Sequence, residues 1–254
     1  MADVQKVFED EYILVVDKPS GLIVHNDGRT KEETLDEWVK ENYPELNIVG
    51  NPHTLDSGRY TPRWGIVNRL DRDTSGLILV AKDDQSFFEL QRQFWSRTVE
   101  KKYLAKVWGE FEHDAAGKIS EPISRHKKDP RIWVCGVGVG ERVTNKEAIT
   151  LYKVIESRDK QSLIEFTPIT GRTHQLRLHA RFLGHPIVGD KKYGVSGIAN
   201  EHSTEQIKGV LDVLTEKDIE SDKSTRLMLH AKSLKFVHPS TKEEIVVSVE
   251  PKDF

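Results

Sequence analysis

The sequence predicts a mixed α+β domain in which strands outnumber helices. Short β-branched runs recur along the whole chain and are separated by Gly, Pro, Asn and Asp. Segments with helical spacing of apolar residues lie between them, with no internal repeat, low-complexity tract or linker. At 254 residues, with 37% hydrophobic and 31% charged residues, the chain can bury a substantial core. We therefore expect one domain over residues 1–254.

The first half of the chain predicts strands separated by two helices. A capping box formed by Thr30 and Glu33 is predicted to begin a helix that ends before Pro44, and Asp84 to cap a second helix. The stretch 51–64 is rich in Pro, Gly, Ser and Thr and predicts a loop. The predicted strands are 12–16, 22–24, 77–81 and 103–107.

The second half predicts further strands around one basic helix. Thr173 is predicted to cap that helix, which carries Leu176 and Ala180 on one face and stops at Gly184. The GVGVGER segment, 136–142, lacks the GxGxxG spacing and predicts a hairpin rather than a nucleotide-phosphate loop. An acidic segment at about 195–224 predicts a surface helix or insertion. The predicted strands are 148–155, 162–166, 227–229, 234–237 and 245–249.

Composition limits the compartment and the partners. Cys135 is the only cysteine, so neither an intramolecular disulfide nor a CxxC zinc site is possible, which indicates a reducing compartment, the cytoplasm. The N-terminal residues 1–12 lack the basic-then-apolar pattern of a signal peptide and no apolar run reaches membrane-spanning length, so we expect neither a leader nor a span. The net charge of −3 is uneven, because the stretches 124–131 and 172–193 are basic while 201–222 has seven acids and two lysines.

The stretch NRLDRDTSGLILVAK, 68–82, places cations and carboxylates at the entry to an apolar strand. Either a solvated loop or a catalytic aspartate kept ionised by arginines would explain it. Asp71 and Asp73 are too close in sequence to flank a sugar bond as a glycosidase pair. Asp73 is expected to bond its own turn, 73–76, with Gly76 supplying the unusual backbone angle.

The stretch 170–194 crowds Arg172, His174 and Arg177 at the start of the predicted basic helix. Cations are mildly unfavourable there, because a helix N-terminus carries partial positive charge. A backbone phosphate of a nucleic acid or a carboxylate from elsewhere in the chain would explain them, and so would side chains that point into water. His174 and His179 do not share a helical face, so we expect no metal site; His179 and His185 are expected to form structural hydrogen bonds.

Together these stretches resemble the RluA-type pseudouridine synthases. The segments EDEYILVVDKPSGLIVH, GIVNRLDRDTSGLILVAK, VEKKYLAKVWG, TGRTHQLRLHARFLGHPIVGDKKYG and RLMLHAKSLKFVHP are similar to the family's motifs, in the family's order, from about residue 9 to 250. One departure is Asn68, where the family signature has histidine; Arg69 and Asp71 match it. The resemblance implies the catalytic domain alone, without an additional N-terminal RNA-binding domain.

The resemblance implies a mostly antiparallel sheet with flanking helices and a central RNA-binding cleft. It implies isomerisation of specific uridines in ribosomal or transfer RNA to pseudouridine, without cofactor or metal. Asp71 would be the catalytic carboxylate, as nucleophile or base, with Arg177 as its ion-pair partner. Tyr103 would pack on the flipped uracil and help to remove the proton from carbon 5.

RNA is the expected partner, with no membrane, no protein partner and a monomeric chain. The resemblance implies that Arg69 fills the space left by the flipped base or contacts nearby backbone. The other expected RNA contacts are Arg172, His174, Gln175, Lys127 and Lys128. Two alternatives stay open: a catalytically silent RNA-binding protein or chaperone that keeps the fold, and a glycosidase or base-excision enzyme that uses Asp71 and releases free uracil.

Overall fold

The computed structural model describes residues 3–26, 30–54, 60–112, 114–129, 131–136, 144–201, 204–252 and 254. Its strands are β1 (Gln5–Glu9), β2 (Ile13–Lys18), β3 (His53–Thr54), β4 (Tyr60–Thr61), β5 (Ser75–Ala81), β6 (Glu100–Trp108), β7 (Ala116–Ile119), β8 (Ile123–Arg125), β9 (Trp133–Cys135), β10 (Thr150–Arg158), β11 (Gln161–Pro168), β12 (Leu229–Val237) and β13 (Glu244–Ser248). Its helices are α1 (Leu35–Asn42), α2 (Asp84–Trp95), α3 (Gln175–Phe182), α4 (Lys208–Leu211) and α5 (Glu216–Ser224), with short 3₁₀ turns at Pro44–Ile48, Ile198–Glu201 and Glu205–Ile207.

The chain forms two compact units. Unit 1 comprises Met1–Lys101 and Ala231–Asp253, and unit 2 comprises Lys102–His230 with Phe254. The boundaries fall inside β6 and β12. The prediction of a single catalytic domain over 1–254, with a core at about 9–250, stays a prediction.

Unit 1 is built on the strand order β1–β2–β5–β12, with β13 paired to β12. Strand β2 is antiparallel to both β1 and β5, and Val15 faces Leu79 in the register. Every residue of β5 is buried, which explains its continuous apolar sequence. Helix α2 packs against β5 and contributes the buried Phe87 and Leu90.

Unit 2 is built on the antiparallel order β6–β11–β10–β7, with β8 and β9 forming a separate hairpin. Residues of β11 alternate between buried and half-buried, as expected for a strand with one face on the core. Val107, Phe166 and Ala180 belong to one buried cluster, so α3 packs on the sheet. The predicted mixed α+β fold with a mostly antiparallel sheet is confirmed.

Helix beginnings differ from the sequence predictions by one to four residues. The capping box of α1 is Thr34 with Glu37, whose carboxylate accepts from the Thr34 N–H at 3.2 Å, so the prediction of Thr30 and Glu33 was wrong. Both pairs have the same spacing, but only the later one places Leu35 in the core. Asp83, not Asp84, caps α2 and accepts from the Ser86 N–H at 2.8 Å.

Some predicted strands are shorter or longer in the structure. Of 22–24 only an isolated bridge between Ile23 and Thr34 forms. The predicted strands 227–229 and 234–237 are parts of the single strand β12. The hairpin predicted for 136–142 falls almost entirely on 137–143, outside the described residues.

The acidic segment at about 195–224 is fixed to unit 2 by buried groups. Ile207 and Val210 are buried, although several of the acids around them are exposed. Asp222 is fully buried and accepts hydrogen bonds from Trp108 Nε1 at 2.8 Å, the Gly189 N–H at 2.7 Å and Ser196 Oγ at 2.6 Å. The segment is therefore an integral part of unit 2 with an acidic outer face.

Candidate active site

The segment that precedes Asp71 runs beside β5 in unit 1. The Val67 N–H donates to the Leu79 carbonyl at 2.9 Å, and the Leu79 N–H donates to Oδ1 of Asn68 at 2.8 Å. The side chain of Asn68 thus continues the pairing with β5 at the position where the family motif has histidine. The chain then turns, and the Thr74 N–H donates to the Asp71 carbonyl at 3.2 Å.

We call residues 69–74 the Asp71 loop. Leu70 and Thr74 are buried, Asp71 is half-buried, and Arg69 is exposed. Arg72 pairs with Glu32 at the surface. The turn spans 71–74, two residues earlier than the predicted 73–76, while Gly76 has the expected positive φ of 113°.

The KPSG segment of unit 1, residues 18–21, donates hydrogen bonds to the backbone of the Asp71 loop. Lys18 is fully buried, and its Nζ donates to the carbonyls of Arg72, Pro19 and Leu22 at 2.8–2.9 Å. The Gly21 N–H also donates to the Arg72 carbonyl, at 3.0 Å, and Ser20 Oγ donates to the Asp73 carbonyl at 2.6 Å. Lys18, Ser20 and Gly21 therefore all donate hydrogen bonds to backbone carbonyls of the loop.

In unit 2, Arg177 on α3 forms a bidentate pair with Asp190. Its Nε donates to Oδ2 at 2.8 Å and its Nη2 donates to Oδ1 at 2.6 Å. Asp190 also accepts from the N–H groups of Lys192 and Tyr193, both at 2.9 Å. Burial opposes ionisation of Asp190, but the charge and hydrogen bonds of Arg177, with these two N–H groups, hold its pKa below the usual value.

Tyr193 connects the start of helix α3 to strand β9. Its hydroxyl shares a 2.7 Å hydrogen bond with Nδ1 of His174 and accepts from the Trp133 N–H at 3.2 Å. The Arg177 guanidinium lies 5.1 Å from the centre of its ring. The Tyr193 carbonyl accepts from Arg181. Helix α3 is therefore bound to the GDKKYG turn, 189–194, through both Arg177 and Arg181.

The residues at the start of α3 have mainly internal hydrogen bonds. His174, with φ of 56°, occupies the N-cap position that was predicted for Thr173, and α3 begins at Gln175. Gln175 is buried; its amide donates to Ile149 and Thr150 and accepts from Thr170 and Arg172. Arg172 Nε donates to the Glu147 carbonyl at 2.9 Å. Gln175 therefore shapes the entry to the helix, and its RNA contact stays a prediction.

The two remaining histidines of this stretch are structural. The ring nitrogens of His179 pair with Thr150 Oγ1 at 2.9 Å and the Glu121 carbonyl at 3.1 Å. His185 Nδ1 pairs with the Trp108 carbonyl at 3.0 Å. Burial lowers the pKa of both rings, which favours their neutral forms. The prediction that they form structural hydrogen bonds is confirmed.

Tyr103 lies on β6 opposite Phe166 and packs, half-buried, against the core of unit 2. Lys127 and Lys128 are exposed between β8 and β9. The Arg125 guanidinium of this hairpin lies 4.7 Å from the centre of the Trp133 ring, and the ammonium of Lys146, which bridges to Ile123 from outside the hairpin, lies 5.7 Å from it. The structure thus gathers a group of cations around one aromatic side chain.

The predicted site residues divide between the units. Asp71 and Arg69 belong to unit 1, and Tyr103, Arg177 and the other predicted RNA contacts belong to unit 2. The meeting of Asp71 with Arg177 and Tyr103 stays a prediction. Sequence reasoning missed Lys18 and Asp190; Asp190 is the single acid among the cations of 172–193, a signal that could have identified it as their partner.

A family model described as RNA pseudouridylate synthase matches residues 12–182, a range that contains Asp71, Tyr103 and Arg177. The chain belongs to this family. The chain is 39% identical to the ribosomal large subunit pseudouridine synthase D of Nitrosomonas europaea, over 74% of this chain and 49% of that one. It is 35% identical to an uncharacterized RNA pseudouridine synthase of Aquifex aeolicus, over 96% of this chain and 68% of that one.

Solved pseudouridylate synthase structures share the fold. Human RNA Pseudouridylate Synthase Domain Containing 1 superposes with a TM-score of 0.68 at 27% identity, covering 98% of this chain and 84% of that one. The chain spans about half to two thirds of the length of the curated relatives reported above.

Three further features of the described residues of this family member concern metal ligands, cysteine reactivity and membrane-spanning helices. No group of three His, Cys, Asp or Glu side chains there could hold a metal ion. Burial, with a smaller effect of the Glu121 charge, raises the pKa of the Cys135 thiol to about 12, so it is a poor nucleophile at neutral pH. No helix among these residues combines the length and apolar character that a bilayer span requires.

Proposed function

We propose that this chain isomerises uridine to pseudouridine in RNA, with Asp71 as the catalytic carboxylate. The family match over residues 12–182 carries the proposal, because it includes the motif around Asp71. The supported position of the Asp71 loop agrees with it, since a catalytic carboxylate must be held in one place. The relatives named above are RNA pseudouridine synthases, which favours RNA as the substrate.

The chemistry breaks the bond between ribose C1′ and the uracil nitrogen, rotates the uracil and forms a carbon–carbon bond. The net change is an isomerisation without oxidation or loss of a group. Asp71 acts in ionised form, as nucleophile or as base. Asp190 orients Arg177 through two hydrogen bonds. The Arg177 guanidinium is proposed to stabilise the negative charge of the Asp71 carboxylate during the reaction. Tyr103 is proposed to pack on the uracil and to assist removal of the carbon-5 proton.

The cations of unit 2 are proposed to bind the RNA backbone. Arg125, Lys127, Lys128 and Lys146 are exposed. Lys192 Nζ donates to the Arg131 carbonyl at 3.0 Å, so the basic stretches 124–131 and 172–193 lie together in unit 2. A cluster of this kind favours a polyanion, because each phosphate contact releases condensed counterions. Arg69, Arg172 and His174 are proposed as contacts near the flipped nucleotide.

Ribosomal RNA is the preferred substrate, because the Nitrosomonas relative is named for the large ribosomal subunit. Transfer RNA is the second candidate. We further propose that the protein acts in the cytoplasm as a monomer and without a protein partner. Mapping of pseudouridines in ribosomal and transfer RNA from a deletion strain would distinguish the two substrates.

The test compares Asp71→Asn with Asp73→Asn, a change of the neighbouring exposed carboxylate in the same loop. Purified proteins are incubated with total RNA from the deletion strain, and pseudouridine is mapped chemically. We expect formation with wild type and Asp73→Asn and none above background with Asp71→Asn. Equal product from folded Asp71→Asn would overturn the role of Asp71.

The same variants, tested in vitro and by complementation of the deletion strain, separate the alternative functions. A silent RNA-binding protein predicts that wild type forms no pseudouridine and that Asp71→Asn still restores growth of the deletion strain. A base-excision enzyme predicts free uracil and a loss of RNA mass, whereas isomerisation leaves the mass unchanged.

A further inference from the structure

Trp95, the last residue of helix α2, is exposed to an unusual degree for its type. It is 76% exposed, whereas tryptophan side chains in folded proteins are mostly buried. No hydrogen bond, ring contact or cation contact joins this side chain to another described residue. A single exposed apolar residue needs no explanation, so the meaning of Trp95 depends on its neighbours.

Two neighbours of Trp95 share its face of α2. Phe88, Arg92 and Trp95 follow one another at spacings of four and three residues, which places them in one row along the helix. Phe88 is 44% exposed, and the Arg92 side chain is 71% exposed. The helix is held to unit 1 by its other face, where Phe87 and Leu90 are buried. The packing of α2 therefore does not account for the exposed row.

Positive charge accumulates towards the same end of α2. Residues 92–101 contain three cations and one acid: Arg92, Arg97, Lys101 and Glu100. Glu89, one turn earlier, pairs with Arg92 at 2.8 Å and also lies 3.9 Å from Lys242. Cations therefore outnumber acids in this part of unit 1, which favours an anionic partner.

Arg97 and Lys101 lie close enough to repel each other. Burial, with a smaller effect of the Arg97 charge, lowers the pKa of Lys101. The Lys101 ammonium lies 6.0 Å from the centre of the Phe94 ring, in the last turn of α2. An anion that contacts both cations would relieve their repulsion.

Arg97 occupies a backbone position that favours glycine. The Thr98 N–H donates to the Gln93 carbonyl at 3.0 Å and the Arg97 N–H donates to the Phe94 carbonyl at 3.2 Å, which is the Schellman arrangement at a helix end. The left-handed residue of this arrangement is usually glycine, but here Arg97 has φ of 61°. The negative end of the helix offsets part of the strain for a cation. Glycine would meet the backbone requirement without strain, so the guanidinium at this position calls for a role outside the fold.

We propose that these residues bind a single-stranded segment of the substrate RNA that does not include the isomerised nucleotide. Trp95 offers its ring to an unpaired base, and Arg97 and Lys101 contact the adjoining phosphates. We call Phe88, Arg92, Trp95, Arg97 and Lys101 the Trp95 patch. Single-stranded RNA presents flat bases next to phosphates, and proteins bind it with exposed aromatic rings set among cations. This inference rests on the proposed RNA substrate.

The experiment measures binding of a fluorescein-labelled oligoadenylate of about twelve nucleotides by fluorescence anisotropy. This probe has no uridine, so its binding does not depend on the isomerisation. We expect Trp95→Ala to weaken binding on the order of 10-fold and Trp95→Phe to retain most of the affinity, because stacking needs an aromatic ring. Ile48→Ala is the matched control, since Ile48 of unit 1 is also exposed, at 78%, and it should leave the affinity unchanged.

Arg97→Gly tests the charge separately from the fold. Removal of one phosphate contact should reduce the slope of log K against log salt by roughly 0.7 for a single strand. Because glycine relieves the left-handed strain, the urea midpoint of unfolding should not fall. Lys160→Gly is the control, because Lys160 also has a left-handed φ, of 63°, but its ammonium pairs with Asp218 at 3.0 Å in unit 2. It should leave the slope unchanged.

Wild-type affinity in Trp95→Ala together with a wild-type slope in Arg97→Gly would overturn the inference and leave the proposed isomerisation intact. A protein rather than RNA on the Trp95 patch predicts that every variant binds oligoadenylate like wild type, which also overturns it. A lower urea midpoint with an unchanged slope in Arg97→Gly would show that Arg97 serves only the helix end and would overturn its phosphate contact. Patch-dependent binding by a wild-type protein that forms no pseudouridine in total RNA would support the RNA site and contradict the proposed isomerisation.

Discussion

The guanidinium of Arg177 and the carboxylate of Asp190 face each other through two hydrogen bonds, with both side chains buried. Asp190 begins the turn that brings the Tyr193 hydroxyl to His174. One ion pair therefore fixes both the orientation of Arg177 and the course of the GDKKYG turn beside helix α3.

We expect Asp190→Asn to destabilise the protein by about 3–5 kcal/mol, because the change leaves the buried Arg177 cation without its charge partner. Urea denaturation at neutral pH measures this loss. Asp129→Asn is the control, since Asp129 pairs in the same bidentate way with Arg131, whose side chain is exposed. The control should cost less than Asp190→Asn, because the Arg131 cation that it leaves without a charge partner is exposed to water.

The pH dependence follows from the lowered pKa of Asp190. A carboxylate whose folded pKa lies below its unfolded value stabilises the fold above the unfolded pKa, and this contribution is lost as pH falls through the folded pKa. The stability difference between wild type and Asp190→Asn should therefore shrink as the solution becomes strongly acidic. A difference that stays constant would show that Asp190 does not act through its charge.

The exposed lysines of the β8–β9 hairpin should set the salt dependence of RNA binding. If each contacts a phosphate, the double change Lys127→Ala and Lys128→Ala should reduce the slope of log K against log salt by roughly 1.5. Filter binding or fluorescence anisotropy with ribosomal RNA at several salt concentrations measures the slope.

The control for the hairpin lysines is the double change Lys217→Ala and Lys223→Ala in α5, which also removes two exposed lysines but from the acidic segment. We expect it to leave the slope unchanged. Equal slopes for wild type and the hairpin variant would exclude Lys127 and Lys128 as phosphate contacts.

Gly76 of β5 lies against the backbone of Ala231 in β12, where a side chain would not fit. It has φ of 113°, and a Cβ built on it would lie 2.4 Å from the Ala231 carbonyl oxygen. Gly76→Ala should therefore cost both backbone strain and overpacking, about 2–4 kcal/mol in total. The free energy of unfolding measures this cost.

Gly21→Ala is the matched control for Gly76. Gly21 also has a positive φ, of 87°, but its Cβ would meet no atom within 4 Å. It should therefore show the strain alone, about 1–2 kcal/mol. A cost for Gly76→Ala no greater than that for Gly21→Ala would show that the contact with Ala231 relaxes freely.

The sequence by itself determined the family and the approximate positions of β2, β5, β6, β10 and β11, whereas β1, β7, β8 and β9 were not predicted. The buried run of β5, the β10–β11 hairpin and the end of α3 before Gly184 follow from local pattern, because side-chain period and turn residues act over a few neighbours. The stretch 172–193 was also identified from the sequence as basic, with a single acid.

Only the tertiary structure showed which hydrogen-bond and ion-pair partners the side chains of these segments have. The capping box at Thr34 was selected over the equivalent one at Thr30 by burial of Leu35. Lys18 and Arg72, 54 positions apart, meet because β2 pairs with β5. The structure pairs Arg177 with Asp190, which the sequence analysis did not predict, while the predicted pairing of Arg177 with Asp71 stays a prediction. Pairing and charge compensation between distant segments depend on how the strands and helices pack, which local sequence pattern does not specify.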